Sequence, residues 1–247
     1  MSSTPITLTH DVPHGGAARS ARTRGGVRND RTRALLVAAL CAVGMALTWT
    51  LAELVPAVHW RDAVLLYDFG RLSRPGVDTL ANHLLHLLEP GLYTVWAALL
   101  VATALLRRRP RLAFAVAVVL PAAPGIAELM KPLLAHPHAS VGAELVGPAS
   151  WPSGHATAAM TLALCALLVA PHRLRPLVAA LACGFAVAVA CALLILAWHM
   201  PSDVVGGFLL ATLCVSLAVA ALGPAWDRPR SLRIRGSHSA ERGQTAG

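Results

Sequence analysis

Residues 177–198 read LVAALACGFAVAVACALLILAW, the next five are His199-Met200-Pro201-Ser202-Asp203, and residues 204–222 read VVGGFLLATLCVSLAVAAL. Neither long run contains Asp, Glu, Lys or Arg. A bilayer core about 30 Å thick takes roughly 20 apolar residues of helix. Each run is therefore expected to be a membrane-spanning helix, with the five residues between them forming a tight turn at one membrane face. Lipid offers no hydrogen bonds to the backbone, so a lone apolar segment of this length must satisfy itself as a helix.

Working outward from this pair, further apolar runs occupy about 34–55, 90–106, 112–130 and 154–171. The expected architecture is all-α: a six-span transmembrane helix bundle over residues 34–222, built as one membrane domain. Residues 1–33 are polar and Arg-rich and read as a disordered basic arm, and residues 223–247 read as a second basic tail. The arm is long, and the run after it has no small-residue cleavage site, which argues against a signal peptide. Composition excludes the alternatives. Of 247 residues, 56% are apolar and 13% charged, against roughly 45–50% and about 25% in soluble domains. All five cysteines, Cys41, Cys165, Cys183, Cys191 and Cys214, lie inside apolar runs and read as small core hydrophobes.

The net charge is +9. In a chain this apolar, the excess marks loops facing an anionic membrane surface, so membrane lipids are the expected partners and nucleic acid is not. With both termini cytoplasmic, the inside collects the arginines of the arm and the tail, Arg107, Arg108, Arg109 and Arg111 between runs two and three, and Arg173 and Arg175 between runs four and five. The outside keeps Arg61, Arg71, Arg74 and Lys131, the last being the chain's single lysine. This is the positive-inside pattern, and it needs an even number of spans.

The outer face then holds 56–89, 131–153 and the turn at 199–203. Within the first, Leu80, Leu84 and Leu87 share one helical face suited to the membrane interface. His59, His83, His86, His136, His138, His155 and His199 all fall on this side. Three stretches there carry chemistry. Trp151-Pro152-Ser153-Gly154-His155 opens the fourth run, where Ser153 caps the helix and the free N–H groups, approached closely at Gly154, can hold an anion. A plain cap with an interfacial His would use the same residues. In His199-Met200-Pro201-Ser202-Asp203, an Asp four residues after a His can fix the imidazole tautomer. The bland alternative is an Asp at a helix N-terminus that Pro201 starts. In the third, Lys131 ends the third run, as a phosphate-binding cation or as a snorkelling side chain. Trp151 and Trp198 flank two of these stretches and fit an interfacial aromatic belt.

The three stretches together, Lys131, then Pro152-Ser153-Gly154-His155, then His199-x-x-x-Asp203, resemble the type 2 phosphatidic acid phosphatase / vanadium haloperoxidase superfamily. The resemblance covers about residues 34–222 and implies a metal-independent phosphatase without a cofactor. It implies that His199 attacks phosphorus to form a phosphohistidine, that Asp203 orients His199, and that His155 protonates the leaving oxygen and later activates water. Lys131, Ser153 and Gly154 would hold the phosphate oxygens. The implied substrate is a lipid phosphate or isoprenyl diphosphate met at the outer face of a bacterial plasma membrane, the bacterial origin being suggested by the Ala and Arg bias. Phosphatidic acid, phosphatidylglycerol phosphate and isoprenyl diphosphates all remain candidates.

The chain departs from the family pattern twice. The first motif expects Arg-Pro seven residues after its Lys, and His138-Ala139 stands there. The third expects Arg six residues before its His, and Leu193 stands there. His136 and His138 are the expected partial substitutes for the first, with Arg61, Arg71 and Arg74 as other sources of charge. Removing one preorganised oxyanion donor costs about 10²–10³ in rate. The alternative is therefore a catalytically degenerate member that binds a lipid phosphate or a protein partner without turnover. A transporter would place charges in mid-span, whereas Glu53 and Glu128 fall near the ends of their runs.

Overall fold

The computed structural model describes residues 16–137 and 146–223, with side chains from Asp30 onward. The described residues form eight helices: α1 Gly16–Leu54, α2 Pro56–Gly70, α3 Pro75–His86, α4 Pro90–Leu106, α5 Pro110–Met130, α6 Gly154–Val169, α7 Arg175–Ile195 and α8 Pro201–Leu222. The described residues contain no strand. The tail from 224, the first 15 residues of the arm and His138 lie outside the described residues.

Proline sets the helix starts. Pro56, Pro75, Pro90, Pro110 and Pro201 are each the first residue of a helix. That position has no intrahelical partner for its N–H, and proline's fixed φ is already helical. The long outer segment 56–89 is thereby divided into α2 and α3. Helix α1 begins within the arm that composition read as irregular. No proline interrupts Gly16–Leu54, so the helix runs back through the Ala- and Arg-rich stretch.

Helices α1, α5, α7 and α8 are long and apolar enough to cross a bilayer, counting α1 from Asp30. Helices α3 and α4, bent by 53° at their junction, together make a fifth such unit. Helix α6 is apolar but has 16 residues, about 24 Å at 1.5 Å per residue. It begins where the run begins, after the Ser153 cap, and ends two residues short of it, because Pro171 disfavours a helical residue before it. Leu40, Leu106, Phe114 and Leu133 are at least 70% exposed. Apolar surface on this scale belongs against lipid.

Helix α6 is the hub and packs on α5, α7 and α8. Its buried positions are nearly all small, among them Gly154, Ala156, Ala159 and Ala163, which lets neighbouring backbones approach closely. Its buried hydroxyls are satisfied internally: Thr157 Oγ1 donates to Ser153 O and Thr161 Oγ1 to Thr157 O, each at 2.7 Å. Arg107, at the end of α4, donates to Val169 O at the α6 C-terminus, where cations are favoured.

Helix α5 continues through Pro121 and Pro124. Pro124 has no N–H for the carbonyl four residues back, Leu120. The hydroxyl of buried Tyr93 donates to Leu120 O at 2.9 Å and takes its place. In α3 the buried face is Ala81 and Leu85, with Leu88 following, whereas Leu80 and Leu87 are exposed. The leucine face read from the sequence therefore points mainly outward.

Candidate active site

The turn between α7 and α8 builds one half of the site. Pro201 starts α8, which places Asp203 at its third position. Its Oδ2 accepts the Met200 N–H at 2.9 Å and lies 3.3 Å from His199 Nδ1. A carboxylate can only accept, so Nδ1 carries the proton and donates, leaving His199 Nε2 with its lone pair. Asp203 is wholly buried, and its other oxygen, Oδ1, has no hydrogen-bond partner among the described residues.

The start of α6 builds the other half. Ser153 is wholly buried, and its Oγ accepts the Ala156 N–H at 3.3 Å, the cap expected from sequence. Ser153 N–H donates to Asp203 O at 3.0 Å, which locks the two halves through the backbone. Gly207 makes this approach possible: a Cβ there would sit 2.6 Å from Ser153 O. Gly206 does the same for Trp151, whose Nε1 would lie 2.6 Å from an added Cβ. Trp151 is thus a core residue, 3% exposed, against Met45, Ala127 and Leu210. Its placement in an interfacial belt is corrected, because the two glycines open a slot that a large ring fills. The Trp151–Pro152 peptide bond is cis.

Lys131 and Glu128 close the third side. Lys131 Nζ bonds Glu128 Oε1 at 2.7 Å. A Cβ on Gly154 would collide with that oxygen and sit 3.9 Å from Lys131 Nζ. Gly154 therefore lets the pair reach the start of α6. The ionisable neighbours of His155 are His199, Lys131, Glu128 and Glu89. Its ring meets the half-exposed Trp198 edge-on, with centroids 5.8 Å apart. Lys131, Ser153, Gly154, His155, His199 and Asp203 thus come to one place.

The proposed substitutes for the missing arginines behave differently. His136 faces Glu53, with Nδ1 3.4 Å from Oε2, and its ring lies 6.4 Å from that of His59. It is held by a buried carboxylate of α1. Arg61, Arg71 and Arg74 are exposed on α2 and the α2–α3 turn, since the packing faces of α2 and α3 are occupied by Ala63, Leu66, Ala81 and Leu85. Leu193 is wholly buried in the core.

Two features were not assigned from sequence. Asp62 of α2 accepts Ser202 Oγ at 2.6 Å and Ser202 N–H at 3.2 Å, next to Asp203. Burial pushes its carboxyl above the usual range, and the Ser202 bonds pull it back. Helical spacing held the signal, since Asp62 precedes buried Leu66 by one turn. The second is a cleft of about 280 Å³ lined by Asn82, His83, His86, Glu89, His155 and Trp198, with Leu85 at its base. No group of three or more His, Cys, Asp or Glu side chains among the described residues is arranged to hold a metal ion.

The fold is similar to that of a transmembrane PAP2-type phosphatidylglycerolphosphate phosphatase from Bacillus subtilis, with a TM-score of 0.62 at 18% identity, over 73% of this chain and 93% of that one. No curated protein matches the chain. Residues 128–227 match the PAP2 superfamily, and this stretch holds Lys131, the Pro152–His155 segment, His199 and Asp203. Over this stretch the chain is similar to the PAP2 superfamily.

Proposed function

We propose that the protein is an integral membrane phosphatase that hydrolyses a lipid phosphate or isoprenyl diphosphate through a phosphohistidine, without a metal. The observation that carries this is the His199–Asp203 pair bonded by backbone to the capped start of α6. The match of residues 128–227 to the PAP2 superfamily and the likeness in fold to a membrane phosphatase support it.

His199 Nε2 attacks phosphorus, and the bond to the leaving oxygen breaks. His155 gives that oxygen its proton. Water then loses a proton to His155 and attacks the phosphohistidine, which releases phosphate and restores both imidazoles. Asp203 holds Nδ1–H and stabilises the positive ring. Lys131 and the Gly154 N–H face the charge that develops on the phosphoryl oxygens. The Ser153 N–H is taken by Asp203 O, so Ser153 serves the phosphate by fixing the helix start and not as the donor expected from sequence. His138 belongs to this reading by its place in the motif alone.

The reading further includes six membrane crossings over residues 34–222, with α4 and α6 completing the set, and cytoplasmic arm and tail segments at 1–33 and 223–247. The site then lies at the outer face of a bacterial plasma membrane, where a lipid chain stays in the bilayer while its phosphate reaches His199. The distribution of arginine supports this orientation.

The test is phosphate release by the purified protein in detergent over a panel of lipid phosphates, beside His199→Ala. Release that disappears in the variant supports the mechanism, and equal release from both would falsify it. A second reading is favoured by Leu193, buried where the family motif has Arg: a member that binds lipid phosphate without turnover. Retained vanadate or phosphate binding with no release from any substrate would select it.

A further inference from the structure

The catalytic reading leaves the polar end of α3 unused. His83, His86 and Glu89 face His155 and Trp198 across the cleft. The two imidazoles are oriented alike. His83 Nδ1 lies 2.6 Å from Thr79 O, and His86 Nδ1 lies 2.7 Å from Glu89 Oε2. Both partners are acceptors, so each Nδ1 carries a proton and each Nε2 remains for a ligand. Asn82 adds a side-chain amide at the same cleft, its Nδ2 held by Asp78 O at 2.8 Å.

The position of this group matters as much as its chemistry. His155 is the residue assigned to the leaving oxygen, so whatever lies across the cleft from it belongs to the leaving group. A leaving diacylglycerol or isoprenol is apolar beyond its hydroxyl and offers these imidazoles nothing. A leaving group that carries its own phosphoryl oxygens meets two ring nitrogens, each of which becomes an N–H donor once the ring is protonated. At about 280 Å³ the cleft is near the lower end of ligand pockets, roughly 300–1,000 Å³, a size for a phosphorylated headgroup and not for a lipid chain.

We propose that His83 and His86 of α3 bind, through Nε2, a second phosphoryl group on the leaving-group side of His155, so that the preferred substrates are lipids with two phosphoryl groups. The class includes isoprenyl diphosphates and glycerophospholipids bearing a terminal phosphate beyond their phosphodiester. The inference rests on the phosphatase reading and narrows its substrate.

The test uses the full chain in mixed micelles with two matched pairs: an isoprenyl diphosphate against the monophosphate of the same chain, and phosphatidylglycerol phosphate against phosphatidate with the same acyl chains. Wild type is expected to favour the two-phosphoryl member of each pair in kcat/KM. In the His83→Gln, His86→Gln double variant that ratio is expected to fall about tenfold or more, through KM, as charge-assisted hydrogen bonds are lost. His83→Arg, which restores a cation, is expected to keep it. Both isoprenyl and glycerolipid pairs responding supports recognition of the phosphoryl group itself, and one pair alone narrows the source to that lipid. No preference in wild type, or an unchanged ratio in the double variant, overturns the subsite while leaving the phosphatase reading intact. No release from any of the four overturns the phosphatase reading and this inference with it.

Discussion

Ser153 N–H donates to the carbonyl oxygen of Asp203 at 3.0 Å. This single bond joins the start of α6 to the start of α8. The same Ser153 caps α6 through Oγ, and the same Asp203 holds His199 through Oδ2. The start of α6 and the His199–Asp203 pair, the proposed anion site and nucleophile, are therefore tied together, and disturbance of either half reaches the other.

Replacing Asp203 by Asn keeps the shape of the side chain and removes its charge. The amide can then present a donor to His199 and favour the wrong tautomer. Under the proposed mechanism, kcat is expected to fall about 10²- to 10⁴-fold, as when the orienting Asp of a hydrolase triad is changed. Single-turnover trapping of the phosphoenzyme is the direct measurement. A variant that accumulates phosphohistidine at the wild-type rate would show that Asp203 has no part in the first step.

Lys131 is the one lysine of the chain and meets the start of α6 beside Gly154. Lys131→Met keeps the stem and removes the charge. A loss of about 10²–10³ in kcat/KM is expected from removal of one preorganised donor. Inhibition by vanadate should weaken in parallel, which separates a role on phosphoryl oxygens from simple snorkelling.

The close approach at Gly207 makes a structural prediction. A Cβ there would meet Ser153 O at 2.6 Å and Ala156 Cβ at 2.9 Å. Gly207→Ala is expected to destabilise by about 1–3 kcal/mol, the usual range for overpacking. Gly184, whose Cβ would meet nothing within 4 Å, is the control, and Gly184→Ala in the same helical background should be neutral or slightly stabilising. Thermal unfolding in detergent reads both.

Asp62 links pH to stability. Its carboxyl is raised by burial, so on acidification the folded chain takes up its proton before the unfolded chain does. Stability from this residue is greatest at low pH and declines as pH rises from the unfolded value of about 3.9 through the raised folded value. Asp62→Asn keeps an acceptor for Ser202 and removes the charge. Wild type should lose unfolding temperature relative to Asp62→Asn as pH rises from about 4 toward neutrality. Parallel curves would mean that Asp62 does not titrate with folding.

Tyr93 offers a local test of helix repair. Tyr93→Phe leaves the Leu120 carbonyl beside Pro124 without its donor. An unsatisfied buried acceptor costs about 1–3 kcal/mol, and the loss should vanish when Pro124→Ala restores the missing N–H. A non-zero coupling between the two substitutions is the measurement.

The sequence by itself determined the apolar helices and which polar residues stand at their ends, though not the start of α1 within the arm or the division of 56–89 into α2 and α3. Lipid forces an apolar run to bond within itself, proline marks where a helix begins, and Ser153 caps where a cap was expected. The His199–Asp203 pair lies within one helical turn and was readable from spacing. The tertiary structure alone decided what lies opposite these groups. Ser202 finds Asp62 across 140 positions and Tyr93 finds Leu120 across 27. His136 turns to Glu53, Trp151 fills the slot over Gly206, and the α3 imidazoles face His155. The periodicity of a helix shows which residues share a face but is silent on which neighbour covers it. That choice is made by packing all helices together, where the volume of a glycine or the reach of a carboxylate selects one partner among several apolar faces that look alike in sequence.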